Sequence, residues 1–300
     1  MNIIVLGCNG QLGRCIQDIS KKFGQVYGFT FKFLNSKNGD ITDSKKLAQL
    51  FADFSADVVI NASAYTAVDK AESVAKVAYA VNAEGPKNIA QICSDSDIVF
   101  IHVSTDYVFD GNSTQPYQPN AVTNPQSVYG ASKLAGEQAI QTLMNKFVII
   151  RTAWVFSEYG NNFVKTMLRL ANERNELGIV ADQKGCPTYA GDLAVAILDI
   201  VVEVQKGKSN WGIYHYCGDK ETTWYEFANQ IFKIGLAQKS LLKQPVVNAI
   251  TTKAFPTPAV RPKYSVMDNS KIIVDWGVAE CGWDKSLSKV IFNISVSNDS

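Results

Sequence analysis

An apolar strand that runs straight into a glycine-spaced turn constrains this chain more than any other feature. Asn2–Leu6 is short, apolar and β-branched, and Gly7-Cys8-Asn9-Gly10-Gln11-Leu12-Gly13 follows it directly. Helical spacing then begins, with Leu12, Cys15, Ile16 and Ile19 on one face up to about Lys22. A strand, a glycine turn and a helix in this order place free backbone N–H groups and the positive end of a helix dipole at one point. That point suits a pyrophosphate, and glycine lets the backbone pass close to it. The spacing is not the G-x-G-x-x-G of ordinary dehydrogenases, so the turn predicts a dinucleotide site of a related but distinct kind.

The alternation continues. Gln25–Thr30 reads as a second strand, Ser44–Phe54 as an amphipathic helix and Asp57–Asn61 as a buried third strand. A long Ala-rich helix is expected over Glu72–Asp95, a strand over Asp97–Val103, a helix over Gln126–Asn145 and a strand over Lys146–Thr152. Strands with few polar residues, separated by helices, require a parallel sheet covered on both faces. Right-handed crossovers make that an α/β, doubly wound, Rossmann-like sheet. After Trp154 the rhythm weakens: Asn162–Asn172 and Asp192–Val204 read as helices and Gly212–Tyr216 as a strand returning to the main sheet. The expected division is residues 1–154 plus 191–216 for the dinucleotide, and 155–190 plus 217–300 as a smaller, discontinuous substrate lobe.

Composition narrows the partners. With 29 basic and 28 acidic residues the formal net charge is +1, which offers nucleic acid no basic footprint and gives an anionic membrane no attraction. The longest apolar stretch, Leu193–Val204, is interrupted by Asp199 and Glu203, so no span is expected, and the start MNIIVLGCNG has no basic leader. Six scattered cysteines read as small buried hydrophobes of a reducing, cytoplasmic compartment.

Three further segments end or follow strands where ligands bind in such sheets: Asn61-Ala62-Ser63-Ala64-Tyr65-Thr66, Val103-Ser104-Thr105-Asp106-Tyr107, and Tyr129-Gly-Ala-Ser-Lys133. With 12 tyrosines and 29 basic residues, a Tyr-x-x-x-basic pair arises about once by chance, so spacing alone is weak evidence. Chemistry strengthens it. One helical turn apart, Tyr129 and Lys133 share a face, and an ammonium beside a phenol is expected to lower its pKa towards working pH. Such a phenol can protonate a carbonyl oxygen as hydride arrives at carbon, with Thr105 offering a second hydrogen bond to that oxygen.

The glycine loop, STDYVFDG and YGASK together resemble the extended short-chain dehydrogenase/reductase superfamily. NASAYTAVDKAE, VSTDYVFDG, RTAWVF, GNNFVKTMLRLA and DQKGCPT, with Arg261-Pro-x-x-Ser265, narrow the resemblance to the dTDP-4-dehydrorhamnose reductase family. The resemblance implies NAD(P)H-dependent reduction of the C4 carbonyl of dTDP-4-dehydro-6-deoxy-L-mannose. It makes Tyr129 the proton donor, Lys133 its modulator and a ribose contact, and Thr105 the group that polarises the carbonyl. It also implies that Gly7, Gly10, Gln11, Leu12 and Gly13 hold the pyrophosphate, that Asp40 and Ile41 border the adenine, and that Ala62, Ala64, Tyr65 and Thr66 line the dinucleotide. Asp106 and Trp154 would touch substrate. The implied partners are a nucleotide sugar and, in assembly, one or two copies of the chain. Another nucleotide-sugar reductase or epimerase is the nearest alternative, and a non-catalytic NADP-binding subunit resembling the methionine adenosyltransferase beta subunit is the more distant one.

Two departures bear on cofactor and metal. Thr30, with Lys32 and Lys37 nearby, stands where an acidic residue would repel a 2′-phosphate, which favours NADPH while still admitting NADH. Cys15 replaces a glutamate that some relatives associate with a magnesium-linked dimer, so no metal is expected. His102, His215 and the Trp224-Tyr225-Phe227 cluster read as packing residues, and Asp69-Lys70-Ala-Glu72 as a charged helix start.

Overall fold

The computed structural model describes residues 1–298 of the chain, with side chains up to residue 296. Six strands form one all-parallel sheet: β1 (Asn2–Leu6), β2 (Thr30–Leu34), β3 (Val58–Asn61), β4 (Val99–Thr105), β5 (Phe147–Thr152) and, after β6 (Glu176–Val180), β7 (Gly212–His215). Their spatial order is β7-β5-β4-β3-β1-β2, the doubly wound arrangement that the alternation predicts. Strand alternation divides the core. Ile3, Val5, Val58 and Ile60 face helices α1 (Gln11–Tyr27) and, after α2 (Ser44–Phe54), α3 (Gly85–Asp95), α4 (Val128–Leu143) and α5 (Phe163–Glu173), α6 (Ala190–Gln205). Ile4, Leu6, Val59 and Phe100 face the opposite way, onto Leu47 and Phe51 of α2, Ile89 of α3 and Ile140 of α4. Burial on both faces explains why these strands carry so few polar residues.

The remaining elements are α7 (Trp224–Ala237), β8 (Val246–Ile250), α8 (Ser270–Trp276) and α9 (Trp283–Asn298), with β8 pairing in parallel with β6. Phe227, Ile231, Trp283 and Leu287 join the same apolar cluster as Ile3 and Val5, so the core is continuous from the sheet into the C-terminal elements.

Two local expectations give way. The second strand is Thr30–Leu34 rather than Gln25–Thr30. Helix α1 runs on to Tyr27, where Gly28 takes φ +71° and its N–H caps the carbonyl of Gly24. Val26 and Tyr27 have β-forming side chains, but they are exposed on the last turn, and the helix stops at the left-handed glycine. The long helix expected over 72–95 is interrupted by a π turn at Ala80–Glu84, between short turns and α3. No helix among the described residues is long and apolar enough to cross a membrane. All six cysteines are buried free thiols.

Candidate active site

All strands of the sheet run the same way, so the carboxyl ends of β1, β3 and β4 lie at one edge, with Leu6 registered against Asn61 and Asn61 against His102. The glycine turn leaves that edge first. Gly7 sits at φ +79°, and a Cβ there would lie 2.6 Å from the Ser63 amide nitrogen. A Cβ on Gly13 would collide with the Gly7 carbonyl oxygen. Backbone therefore fills the space that a side chain would need, which is the requirement for a close phosphate cradle. Helix α1 starts with no side-chain cap at Gly10 and no acidic residue in its first turn. Its leading N–H groups, at Gln11, Leu12 and Gly13, fit an anion, and the cradle fits a dinucleotide pyrophosphate. The Gln11 amide oxygen accepts from Ser157 Oγ (3.0 Å) and Asn162 Nδ2 (2.9 Å), tying the turn to the segment that follows β5. Neither partner was singled out in the sequence.

The Gly7 and Cys8 amides donate to the Leu34 carbonyl, so the end of β2 lies against the turn. The residues beyond that end are Asn35, Ser36 and Lys37; Thr30 is at the strand's other end, and Lys32 lies over the Phe54 ring. The expected absence of a carboxylate at the end of β2 thus holds at Asn35–Lys37, several residues later than the sequence placed it. Asp40 is exposed, and its carboxylate accepts from the Thr42 amide and hydroxyl. Ile41 is buried among Leu34, Leu47 and Phe51. The side chains of Asp40 and Ile41 therefore serve a turn and the core.

After β3, the peptide of Tyr65 is held at both ends by Asn82: its N–H donates to Oδ1 (2.8 Å) and its carbonyl accepts from Nδ2 (3.1 Å). Asn82 belongs to the π turn, and its Nδ2 also donates to Ser132 Oγ of α4. The interruption of the Ala-rich helix is thus the device that positions the Ala62–Thr66 segment. Ala62, Ala64 and Tyr65 are half-buried, and Thr66 is exposed.

Helix α4 brings Tyr129 and Lys133 beneath the same edge. Ser127 caps the Gly130 amide, and Glu72 accepts from the Val128 amide at 2.8 Å. Asp69 accepts from Arg261 (2.7 Å), whose guanidinium also donates to Tyr107 Oη (3.3 Å). Asp69 lies in the first turn of a short helix, Val68–Ala71, as a charged helix start expects, and both Asp69 and Glu72 also make tertiary contacts. Tyr107 packs edge-on against Tyr129, with ring centroids 5.4 Å apart.

The electrostatics differ from the sequence expectation. Burial pushes the Tyr129 hydroxyl well above its ordinary pKa, and a hydrogen bond with Thr105 opposes it. Burial pushes Lys133 down to about 8, against the pull of Glu137. The Lys133 amine contacts the Val103 carbonyl (2.7 Å) and His102 Nε2 (3.2 Å). The expected lowering of the phenol by an ammonium is overturned because both groups are desolvated. A raised pKa keeps the phenol protonated, as a proton donor requires. His102 is fully buried and packed against Phe100, as the sequence reading expects, and its ring also contacts the Lys133 amine.

Thr105 Oγ1 donates to Asp106 Oδ1 at 3.0 Å. Asp106 Oδ2 is buried with no partner in the structure, an acceptor placed beside Thr105 and suited to a ligand hydroxyl. Burial raises the Asp106 pKa to about 6, against hydrogen bonds from Thr105 and Ser265. Because the folded pKa is raised, this group favours folding at low pH and loses that contribution as pH climbs from about 4 through 6. The stability of Asp106→Asn relative to the parent should therefore rise across that interval by about 2 kcal/mol, at about 1.4 kcal/mol per unit of proton-binding difference. Urea melts of both proteins at pH 4.5 and 7.5 check this; parallel curves would remove Asp106 as the titrating group.

Trp154 holds φ +51°, rare for a bulky residue, and stacks flat on Trp224 with centroids 3.5 Å apart. Its indole closes the space a Cβ on Gly185 would take, and it remains half-buried at the sheet edge. Backbone strain at such a site marks a constrained contact surface. Trp224 packs against the core together with Phe227, as the reading of this cluster expects, and supports the Trp154 indole from behind.

The family model described as "RmlD substrate binding domain" matches residues 1–296. A dTDP-4-dehydrorhamnose reductase of Aggregatibacter actinomycetemcomitans is 42% identical over 96% of this chain and 97% of its own. A Clostridium acetobutylicum dTDP-4-dehydrorhamnose reductase superposes with a TM-score of 0.88 at 38% identity, over 97% of this chain and 99% of that one. A Bacillus anthracis dTDP-4-dehydrorhamnose reductase solved in complex with NADP has a TM-score of 0.85 at 34% identity, over 97% and 98% of the two chains.

Proposed function

The chain belongs to the dTDP-4-dehydrorhamnose reductase family, and from that premise we propose how its own residues carry out NAD(P)H-dependent reduction of dTDP-4-dehydro-6-deoxy-L-mannose to dTDP-L-rhamnose. The observation that carries the reading is the convergence of a phosphate cradle, a buried protonated phenol and an unpartnered carboxylate oxygen at one sheet edge. The pyrophosphate lies on Gly7, Gly10, Gln11, Leu12 and Gly13, and the dinucleotide runs along Ala62, Ala64, Tyr65 and Thr66. Asn35–Lys37 presents no carboxylate to a 2′-phosphate, which supports NADPH and leaves NADH admissible. The cofactor supplies the hydride that reaches C4 of the sugar.

Tyr129 gives its phenolic proton to the C4 oxygen, and Thr105 hydrogen-bonds the same oxygen as charge develops there. Asp106 Oδ2 accepts a sugar hydroxyl, and the indole of Trp154 forms an apolar wall against the deoxysugar. Lys133 orients the nicotinamide ribose. Residues 155–190 plus 217–300 form the substrate lobe, and 1–154 plus 191–216 the dinucleotide domain. The chain works as a monomer or homodimer in the cytoplasm.

The test is NADPH oxidation, followed at 340 nm, with the purified ketosugar. Stoichiometric oxidation with formation of the rhamnosyl nucleotide is expected. Cofactor binding without turnover, together with stable association with a synthetase, would select the regulatory-subunit reading instead.

A further inference from the structure

The Tyr129 ring is seated apart from the two large apolar layers of the sheet. It packs in a small cluster with Ala71, Ala78, Tyr65, Val68, Tyr107 and Val128. These residues come from the stretch after β3, the end of β4 and the start of α4. A cluster this small buries too little apolar surface to fix its own geometry, so the groups that join the three segments decide it.

Polar contacts join them. Glu72 accepts from the Val128 amide, which ties the stretch after β3 to the first turn of α4. Arg261 closes the other side. Its Nη2 donates to Asp69 Oδ2 at 2.7 Å and its Nη1 to Tyr107 Oη at 3.3 Å, while the Ala259 amide donates to Asp69 Oδ1 at 3.3 Å. The strap that carries Arg261 is itself held by backbone bonds, from the Tyr264 amide to the Gly111 carbonyl and from the Ser265 amide to the Lys184 carbonyl. A guanidinium suits this place because its planar fork reaches two acceptors at once, which an ammonium does not.

We propose that Arg261 and Asp69 form a clasp that positions the Tyr129 phenol, acting through Tyr107 and the short helix Val68–Ala71. Both are positioning residues. The inference rests on the reductase reading and deepens it, by naming what aims the proton donor. The clasp contributes little to folding, since its two side chains are 29% and 39% exposed and water screens such a pair. Its value lies in alignment, because a donor displaced by about 1 Å loses about 10²-fold in rate.

The experiment uses the full chain. Arg261→Met should lower kcat for ketosugar reduction about 10- to 100-fold. KM for both substrates should stay within about threefold, and the urea midpoint should stay near that of the parent. Arg169→Met, which breaks the exposed pair with Glu173, is the matched control and should leave kcat unchanged. Asp69→Ala should reproduce the loss, and the double variant should be no slower than the slower single one, because both remove the same contact. Arg261→Lys, which keeps the charge without the fork, should also lower kcat and serves if Arg261→Met does not fold. A second readout needs no turnover. In protein labelled with 3-fluorotyrosine, the ¹⁹F resonance of Tyr129, assigned by its loss in Tyr129→Phe, should shift in both clasp variants and not in Arg169→Met. A shifted resonance in a protein that leaves the ketosugar unreduced would remove the reductase reading and keep the clasp. An unmoved resonance, losses that multiply in the double variant, or an effect confined to KM for the ketosugar would overturn the proposal, the last by making Arg261 a substrate contact.

Discussion

Tyr129→Phe should lower kcat for ketosugar reduction about 10²–10⁴-fold, the range by which a positioned acid accelerates proton transfer. The substitution removes one oxygen and leaves the ring on Tyr107, so the fold and the glycine turn stay intact. NADPH affinity, measured by fluorescence titration, should change little. A KM effect alone would indicate that the phenol only orients substrate, because an interaction made in the transition state appears in kcat. Near-normal turnover would remove the proton-donor assignment. The raised pKa of this hydroxyl also predicts that the parent enzyme keeps its acid form well above neutral pH.

Breaking the buried ion pair behind the active helix should cost the most stability. Arg151 of β5 donates from Nε and Nη2 to Glu137 of α4, with both side chains almost fully buried (3% and 0% exposed). A third donor, Nη1, reaches the Pro119 carbonyl, and the guanidinium lies over the Phe109 ring at 5.1 Å. Arg151→Met leaves the Glu137 carboxylate buried with Ser104 as its remaining side-chain partner, and unfolding in urea should show a loss of about 3–5 kcal/mol. Pairing it with Glu137→Leu should recover much of that loss, because the expense lies in the abandoned charge. Equal losses in the single and double variants would show instead that packing around the pair, and not its charge, holds α4 on the sheet.

Much of the architecture could be read from the chain. Val58–Asn61, Phe147–Thr152 and Ser44–Phe54 lie where the apolar patterning put them, since a strand buried on both faces and a helix buried on one leave clear periods. The misplaced second strand has an equally physical origin. Gln25, Val26 and Tyr27 suit a strand, but α1 stays helical until Gly28 supplies a left-handed residue. The π turn at Ala80–Glu84 was invisible because Ala-rich sequence is compatible with an unbroken helix, and it forms where Asn82 reaches the Tyr65 peptide.

The candidate site divides in the same way. Gly7, Thr105, Tyr129 and Lys133 were legible because their chemistry depends on residue type at fixed spacing along one strand end or one helical turn. Ser157 and Asn162 were not, since each acts through a partner distant in sequence.

By itself, the order of residues determined the fold class, the edge of the sheet where chemistry collects and the phenol–amine pair, because these follow from local periodicity and from parallel strands sharing a direction. Tertiary structure alone decided the protonation landscape. Desolvation belongs to the enclosed space around a group: it raises Tyr129 and Asp106 and lowers Lys133.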